Sequence, residues 1–322
     1  MATISSRWSD SSAAHIRPFD PRRDLLAVAD LIETCFAETL SMDGRRYIER
    51  MRRAARAGVA QRWQAFSSGY PLGGLVWVQH GRVVGNLSLI PFWHRGRMLY
   101  LIANVAVHPD FRRRGIARAL TQAGLDRARR RLAREVWLHV RDDNPAAYAL
   151  YHSLGFVPQT RRTYWVLPHL QAVAGDPLPG VRVVTPRAAA WRQQAAWLDA
   201  NYPPAIRWNF PLRMGALRPD WWGMLYRFFM EFPVRQWGVM QNGRLAGVLS
   251  WQPSSAYADR LWLAAPPQSE ALTLRAVLPV LREQGDLYRP LGLDYPAGRA
   301  AETLRSLGFE PEHTLIWMKR RF

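Results

Sequence analysis

The stretch from Leu101 to Leu167 constrains this 322-residue chain more than any other. It reads as an apolar strand, an arginine-rich loop ending in Gly115, a helix, a second strand, and a short helix opened by Asn144 and closed by Gly155. A strand that turns through a glycine into a helix leaves peptide N–H groups converging at the helix N-terminus, which carries about half a positive charge. Such a terminus holds an anionic group, a pyrophosphate above all, without needing a lysine. Strands and helices alternating in this way call for an α/β fold.

The loop segment is Val105-Ala-Val-His-Pro-Asp-Phe-Arg-Arg-Arg-Gly-Ile-Ala117, and the later one is Asn144-Pro-Ala-Ala-Tyr-Ala-Leu-Tyr-His-Ser-Leu-Gly-Phe156. The first resembles the acyl-CoA-binding signature Arg/Gln-x-x-Gly-x-Gly/Ala of the GCN5-related N-acetyltransferase (GNAT) superfamily, matched by Arg112, Gly115 and Ala117. The second resembles that family's Asn-x-x-Ala-x-x-Leu-Tyr-x-x-x-Gly-Phe segment. Two spaced motifs in the right order are hard to produce by chance. The resemblance covers about residues 99 to 165. Within the superfamily, Leu138 to Asn144 and Arg161 to Tyr164 look most like the ribosomal-protein alanine N-acetyltransferases.

The resemblance implies acetyl-CoA as cofactor and direct acetyl transfer to a primary amine, either a protein N-terminus or a small molecule. It implies that Val105, Ala106 and Val107 pair with the pantetheine arm where two central strands splay apart. Arg112, Arg113, Arg114, Gly115, Ile116, Ala117 and Arg118 would then surround the pyrophosphate. It makes Asn144 a pantetheine contact, although an Asn before a Pro is also a plain helix cap. Tyr151 takes the position of the general acid, next to the cofactor; the competing reading is a core tyrosine sharing a face with Ala147 and Leu154. His139 stands where the ribosomal-protein enzymes carry a glutamate base. An imidazole with an intrinsic pKa near 6.5 accepts a proton as well, and the bland alternative is a structural histidine with water as base. A non-catalytic acyl-CoA-binding module is the alternative function, and the presence of Tyr151 counts against it.

Composition narrows the rest. Hydrophobic residues make up 48% and aromatics 12%, which excludes a largely disordered chain. No apolar run is long enough to span a membrane, and the single cysteine, Cys35, cannot form an intramolecular disulfide and reads as core. No membrane partner and a cytoplasmic location are the expectations. The eight histidines show no ligand spacing, so no metal is expected. The net charge of +19 suggests a polyanionic partner, yet Lys319 is the only lysine, and an arginine excess also arises from GC-rich coding. Nine arginines fall between Arg112 and Arg134, beside the phosphate site. No specific nucleic-acid partner is expected, and the sequence leaves the oligomeric state open.

Along the chain, residues 1–14 read as a flexible tail, 15–167 as a complete GNAT domain, 168–180 as a linker and 181–322 as a second copy. His80-Gly-Arg-Val-Val-Gly-Asn-Leu-Ser88 returns as Asn242-Gly-Arg-Leu-Ala-Gly-Val-Leu-Ser250, and Ser153-Leu-Gly-Phe-Val-Pro158 as Ser306-Leu-Gly-Phe-Glu-Pro311. Two matches in the same order indicate a duplicated fold. In the copy, Ala265-Pro-Pro-Gln-Ser-Glu270 replaces the Arg-x-x-Gly loop, and its prolines delete N–H donors. Ala297 and Leu304 stand where Asn144 and Tyr151 should. The fold class expected is therefore a tandem of α/β GNAT folds, each a mixed sheet with helices on both faces, the second copy degenerate and without cofactor. Nine of the 15 tryptophans lie in that copy and read as core or interface filling ahead of an acceptor-pocket wall.

Overall fold

The computed structural model describes residues 15–56, 73–94, 96–170, 178–230, 233–285 and 287–322. The expected tail at 1–14 and residues 171–177 of the expected linker lie outside these. The chain divides into two compact units, Met1–Thr160 with Ile316–Phe322, and Arg161–Leu315.

In the first unit, strand β1 (Ile16–Pro18) is followed by helices α1 (Pro21–Phe36) and α2 (Met42–Arg56), the hairpin β2 (Gly74–Gln79) and β3 (Arg82–His94), and β4 (Arg97–Val107). Helix α3 (Ile116–Arg130), β5 (Glu135–Arg141) and α4 (Pro145–Ser153) complete the run. Asp20 caps α1, accepting from the Arg22 amide at 2.9 Å, and Pro21 pre-sets the first helical φ. Asp24, buried in the first turn of α1, accepts from Arg17 of β1 at 2.7 Å, so its charge is paired and ties the strand to the helix. The sheet order is β1-β2-β3-β4-β5, antiparallel except for the parallel β4–β5 pair. Leu75 and Trp77 of β2 pack with Ile116, Leu120 and Leu125 of α3, whereas Val76 and Val78 pack with Val28, Ile32 and Met51 of α1 and α2. Alternate residues of one strand thus bury on opposite faces, and helices cover both.

The second unit repeats the pattern. Strand β7 (Val181–Val184), helices α5 (Trp191–Asn201) and α6 (Trp221–Met230), hairpin β8 (Arg235–Gln241) and β9 (Arg244–Gln252), and β10 (Asp259–Ala264) precede α7 (Glu270–Gln284). Then come β11 (Leu291–Pro296), α8 (Ala301–Ser306) and β12 (Glu310–Arg321). The duplication extends to backbone geometry. Both hairpins turn through two left-handed residues, His80 and Gly81 (φ 50° and 73°) and Asn242 and Gly243 (φ 48° and 76°), as a tight two-residue turn requires. Both short helices stop at a left-handed glycine, Gly155 and Gly308, whose following phenylalanine amide reaches back to Tyr151 (3.1 Å) and Leu304 (2.9 Å) respectively.

The division between units differs from the one expected at residues 168–180. It falls inside β6 (Val157–Leu167), because Arg162 to Leu167 pair antiparallel with β11, in register from Arg162↔Pro296 to Leu167↔Leu291. At the other end of the chain, Ile316–Phe322 leave the second unit and lie beside β5 in the first. There Ile316 and Met318 join the cluster that holds α3 and α4. Lys319 lies 5.0 Å from the Trp137 ring, Arg320 donates to the Leu154 carbonyl at 2.7 Å, and the Phe322 amide donates to Arg134 at 3.1 Å.

Candidate active site

The parallel pairing of β4 with β5 runs only from Leu99↔Glu135 to Ile102↔Leu138. Beyond those residues the two strands part, and Val105, Ala106 and Val107 stand on one side of the opening with His139 and Arg141 on the other. A β-bulge sits at the point of parting: the β3–β4 register shifts between Asn86 and Ser88, and Asn104 takes a left-handed φ of 50°. The Asn86 side chain donates to the Asn104 carbonyl at 2.9 Å, and Asn104 Nδ2 lies 3.3 Å from Ser88 Oγ and 3.4 Å from the Tyr47 hydroxyl. These four residues form a polar cluster that sequence reasoning missed; an asparagine inside an apolar strand was the available signal.

After β4, a 3₁₀ turn (Pro109–Phe111) and two left-handed residues, Arg113 (φ 63°) and Gly115 (φ 78°), lead into α3. No side chain caps α3, and its first main-chain bond is Ala119 N–H to the Gly115 carbonyl at 3.0 Å, so the amides of Ile116, Ala117 and Arg118 have no partner within the helix. Arg112, Arg113, Arg114, Gly115 and Arg118 are exposed around this point. Three of the arginines are held: Arg112 Nε to the Val107 carbonyl (3.2 Å), Arg114 to the Asp110 carbonyl (2.9 Å), and Arg118 to Ser153 Oγ on α4 (2.8 Å). Cys35 donates to the same Val107 carbonyl at 3.2 Å and is half-buried rather than core. That carbonyl thus accepts from two side chains of the chain itself. A Cβ built on Gly115 meets no atom within 4 Å, so Gly115→Ala is expected to cost about 1–2 kcal/mol through its backbone alone. Gly115→Pro, which also forbids the φ and deletes an N–H, should abolish coenzyme A binding in a calorimetric titration.

Asn144 caps α4, its side chain accepting from the Ala147 amide at 3.0 Å. Tyr151 is buried in the cluster that contains Val105, Val140 and Phe156, its ring edge-on to Phe156 at 6.0 Å. Burial pushes its phenol up to about 12. His139 lies on the other face of β5, with Trp137, and stacks on Trp317 at 4.1 Å and 29°. Tyr151 and His139 therefore flank the β4–β5 opening from opposite faces of the sheet and do not meet on one. Trp317 comes from the last strand of the chain, and no local pattern around His139 predicts it.

The corresponding region of the second unit is filled by its own side chains. Strands β10 and β11 pair only at Asp259↔Leu291 and Arg260↔Gly292. Past that point Asn201, at the end of α5, donates to the carbonyls of Leu263 (2.9 Å) and Ala265 (3.3 Å), and the buried Tyr202 hydroxyl accepts from the Leu263 amide at 3.5 Å. Glu270 opens α7 and is itself buried, accepting from the Tyr295 hydroxyl at 2.7 Å and from Arg299. A carboxylate thus stands at the helix start where a phosphate would need positive charge. Among the described residues there is no group of three or more potential metal ligands, and no helix is long and apolar enough to cross a membrane.

Residues 27–156 match the family model described as the acetyltransferase (GNAT) family. The [ribosomal protein bS18]-alanine N-acetyltransferase of Escherichia coli (strain K12) is 48% identical over 63 residues, 19% of this chain and 43% of that protein. N-alpha-acetyltransferase 30 of Schizosaccharomyces pombe is 36% identical over 95 residues, 29% of this chain and 63% of that protein. The chain spans less than two thirds of the length of either relative. Among solved structures, a GCN5-related N-acetyltransferase from Sphaerobacter thermophilus aligns over 95% of both chains with a TM-score of 0.59 at 16% identity. A tandem GNAT protein from the clavulanic acid biosynthesis pathway aligns over 95% of this chain and 98% of its own, with a TM-score of 0.50 at 19% identity. At such identities the likeness is one of fold, and it extends over both units.

Proposed function

We propose that this chain, whose residues 27–156 belong to the acetyltransferase (GNAT) family, is an acetyl-CoA-dependent N-acetyltransferase with one working cofactor site, in its first unit. The observation that carries the reading is the parting of β4 from β5, which opens beside the uncapped start of α3. Val105, Ala106 and Val107 would pair with the pantetheine arm, with Asn144 contacting it from the start of α4, and the amides from Arg113 to Arg118 would hold the pyrophosphate within the arginine field. Bound there, acetyl-CoA supplies the acetyl group as a thioester.

The chain's own residues supply the proton chemistry. Tyr151 keeps its proton at neutral pH, ready for the departing sulfur, because burial disfavours its anion. His139 receives the proton that the amine loses, with its ring plane fixed by Trp317. His139→Ala is expected to remove the acid limb of the pH–rate profile and His139→Glu to restore part of it. Trp317→Leu should displace that limb without changing coenzyme A affinity. An acid limb identical in all three variants assigns the base elsewhere.

The acceptor is a primary amine, and a protein N-terminus is the first class to test, since one relative is named for an alanine of a ribosomal protein and the other as an N-alpha-acetyltransferase. A panel assay for thiol release from acetyl-CoA tests the function, using peptides with different N-termini, polyamines, amino acids and aminoglycosides. At least one class should raise release well above the amine-free rate. If coenzyme A binds and every class leaves release at that rate, the chain is a non-catalytic acyl-CoA-binding module.

A further inference from the structure

Helix α6 (Trp221–Met230) buries only Gly223 among its ten residues. It is firmly anchored: Asp220 accepts from the Gly223 amide at 2.9 Å, and Arg227 donates to the carbonyls of Ala216 (2.8 Å) and Arg218 (3.0 Å). A Cβ on Gly223 would lie 2.0 Å from the Arg218 carbonyl oxygen, and the Tyr226 ring lies against Gly215. Positions 223, 226 and 227 thus face inward at i, i+3, i+4 spacing, which turns Trp221, Trp222, Met224, Leu225, Phe228 and Phe229 to solvent. Phe228 is 77% exposed and Phe229 72%, while Trp221 stacks on Trp222 at 3.9 Å. A helix apolar around most of its circumference belongs in an interior.

We infer that this face of α6 is the interface between two copies of the chain, related by a two-fold axis. Whole aromatic side chains present roughly 150–250 Å² each, so at these exposures the face offers on the order of 800 Å². That is about what one partner contributes to a standard-size stable interface. Its composition fits a homodimer, aromatic and methionine with no charge on the exposed arc. The helix's one cation, Arg227, is turned inward onto carbonyls, so the arc lacks the basic flank with which interfacial helices engage an anionic bilayer. Charge gives the test its sign. Two copies at +19 repel, so added salt strengthens a dimer held by apolar contact. Attraction to an anionic surface would weaken instead.

The experiment is analytical ultracentrifugation of the full chain at low and high salt. A concentration-dependent monomer–dimer equilibrium that shifts toward dimer with salt is expected. Phe228→Glu with Phe229→Glu should weaken the dimer by roughly 30-fold or more, while Tyr288→Glu, at an exposed aromatic outside the helix, should not. An unchanged circular-dichroism spectrum and thermal transition verify that each variant is folded. A monomer at every concentration and salt, or a dimer indifferent to the double substitution, overturns the inference. So does a monomer that sediments with phosphatidylserine-containing vesicles at low salt through the same two phenylalanines.

Discussion

Tyr151→Phe is expected to slow acetyl transfer by about 10²- to 10⁴-fold while acetyl-CoA binds as before. The ring is 7% exposed and packs edge-on against Phe156, and the substitution keeps both features, so the fold should not move. On the proposed mechanism, what is lost is a proton held where the leaving sulfur develops charge. Burial raises the phenol from its ordinary value near 10 to about 12, so the neutral form dominates throughout the physiological range. The sign follows. The stabilisation that goes with the neutral buried phenol is whole below pH 10, the unfolded value, and is lost as pH rises through about 12. No alkaline limb belonging to Tyr151 should therefore appear in the rate below about pH 10. Single-turnover kinetics separate this from a binding defect. An unchanged rate makes Tyr151 a core tyrosine, and a lost affinity makes it structural.

The second large effect is expected from ending the chain at Leu315. That truncation removes no residue of the cofactor motifs, yet it strips the first unit of the strand beside β5. Trp317 and Met318 are both buried there, and losing one large buried side chain costs about 3–5 kcal/mol. A domain has only about 5–15 kcal/mol in all, and the exposed edge of β5 would also invite association. The truncated chain should lose the thermal transition of the first unit or fail to stay soluble, and Trp317→Ala should lower that transition while the chain still folds. A truncated protein that melts normally and binds coenzyme A shows that the last strand is dispensable.

That dependence on the last strand is also what the sequence conceals. Element order, the β4-to-α3 loop and the repeat were readable because each is local: the left-handed turns at Gly81 and Gly243, the helix stops at Gly155 and Gly308, and the loop at Gly115 are written in neighbouring residues. A strand's alternation says which face it buries and nothing about which strand it will lie beside. The pattern from Val157 to Leu167 and from Glu310 to Arg321 therefore gave no sign that each strand is shared between units, and Trp317 could not be placed at His139. The tryptophans failed for a related reason. Composition cannot separate Trp237 and Trp262, which fill a core, from Trp221 and Trp222, which face solvent. The second unit's departure was legible only in part: the missing Arg-x-x-Gly and the Glu270 that stands in its place lie in one segment, but Asn201 reaches the Leu263 and Ala265 carbonyls across the fold.

One working site in a duplicated fold is the central claim, and titration calorimetry of the full chain with acetyl-CoA tests it most directly. The account predicts one site per chain, weakened by added salt as the arginine field is screened, abolished by Gly115→Pro and unaffected by Gln268→Ala in the second unit. Two sites per chain, or one site that survives Gly115→Pro, would contradict it.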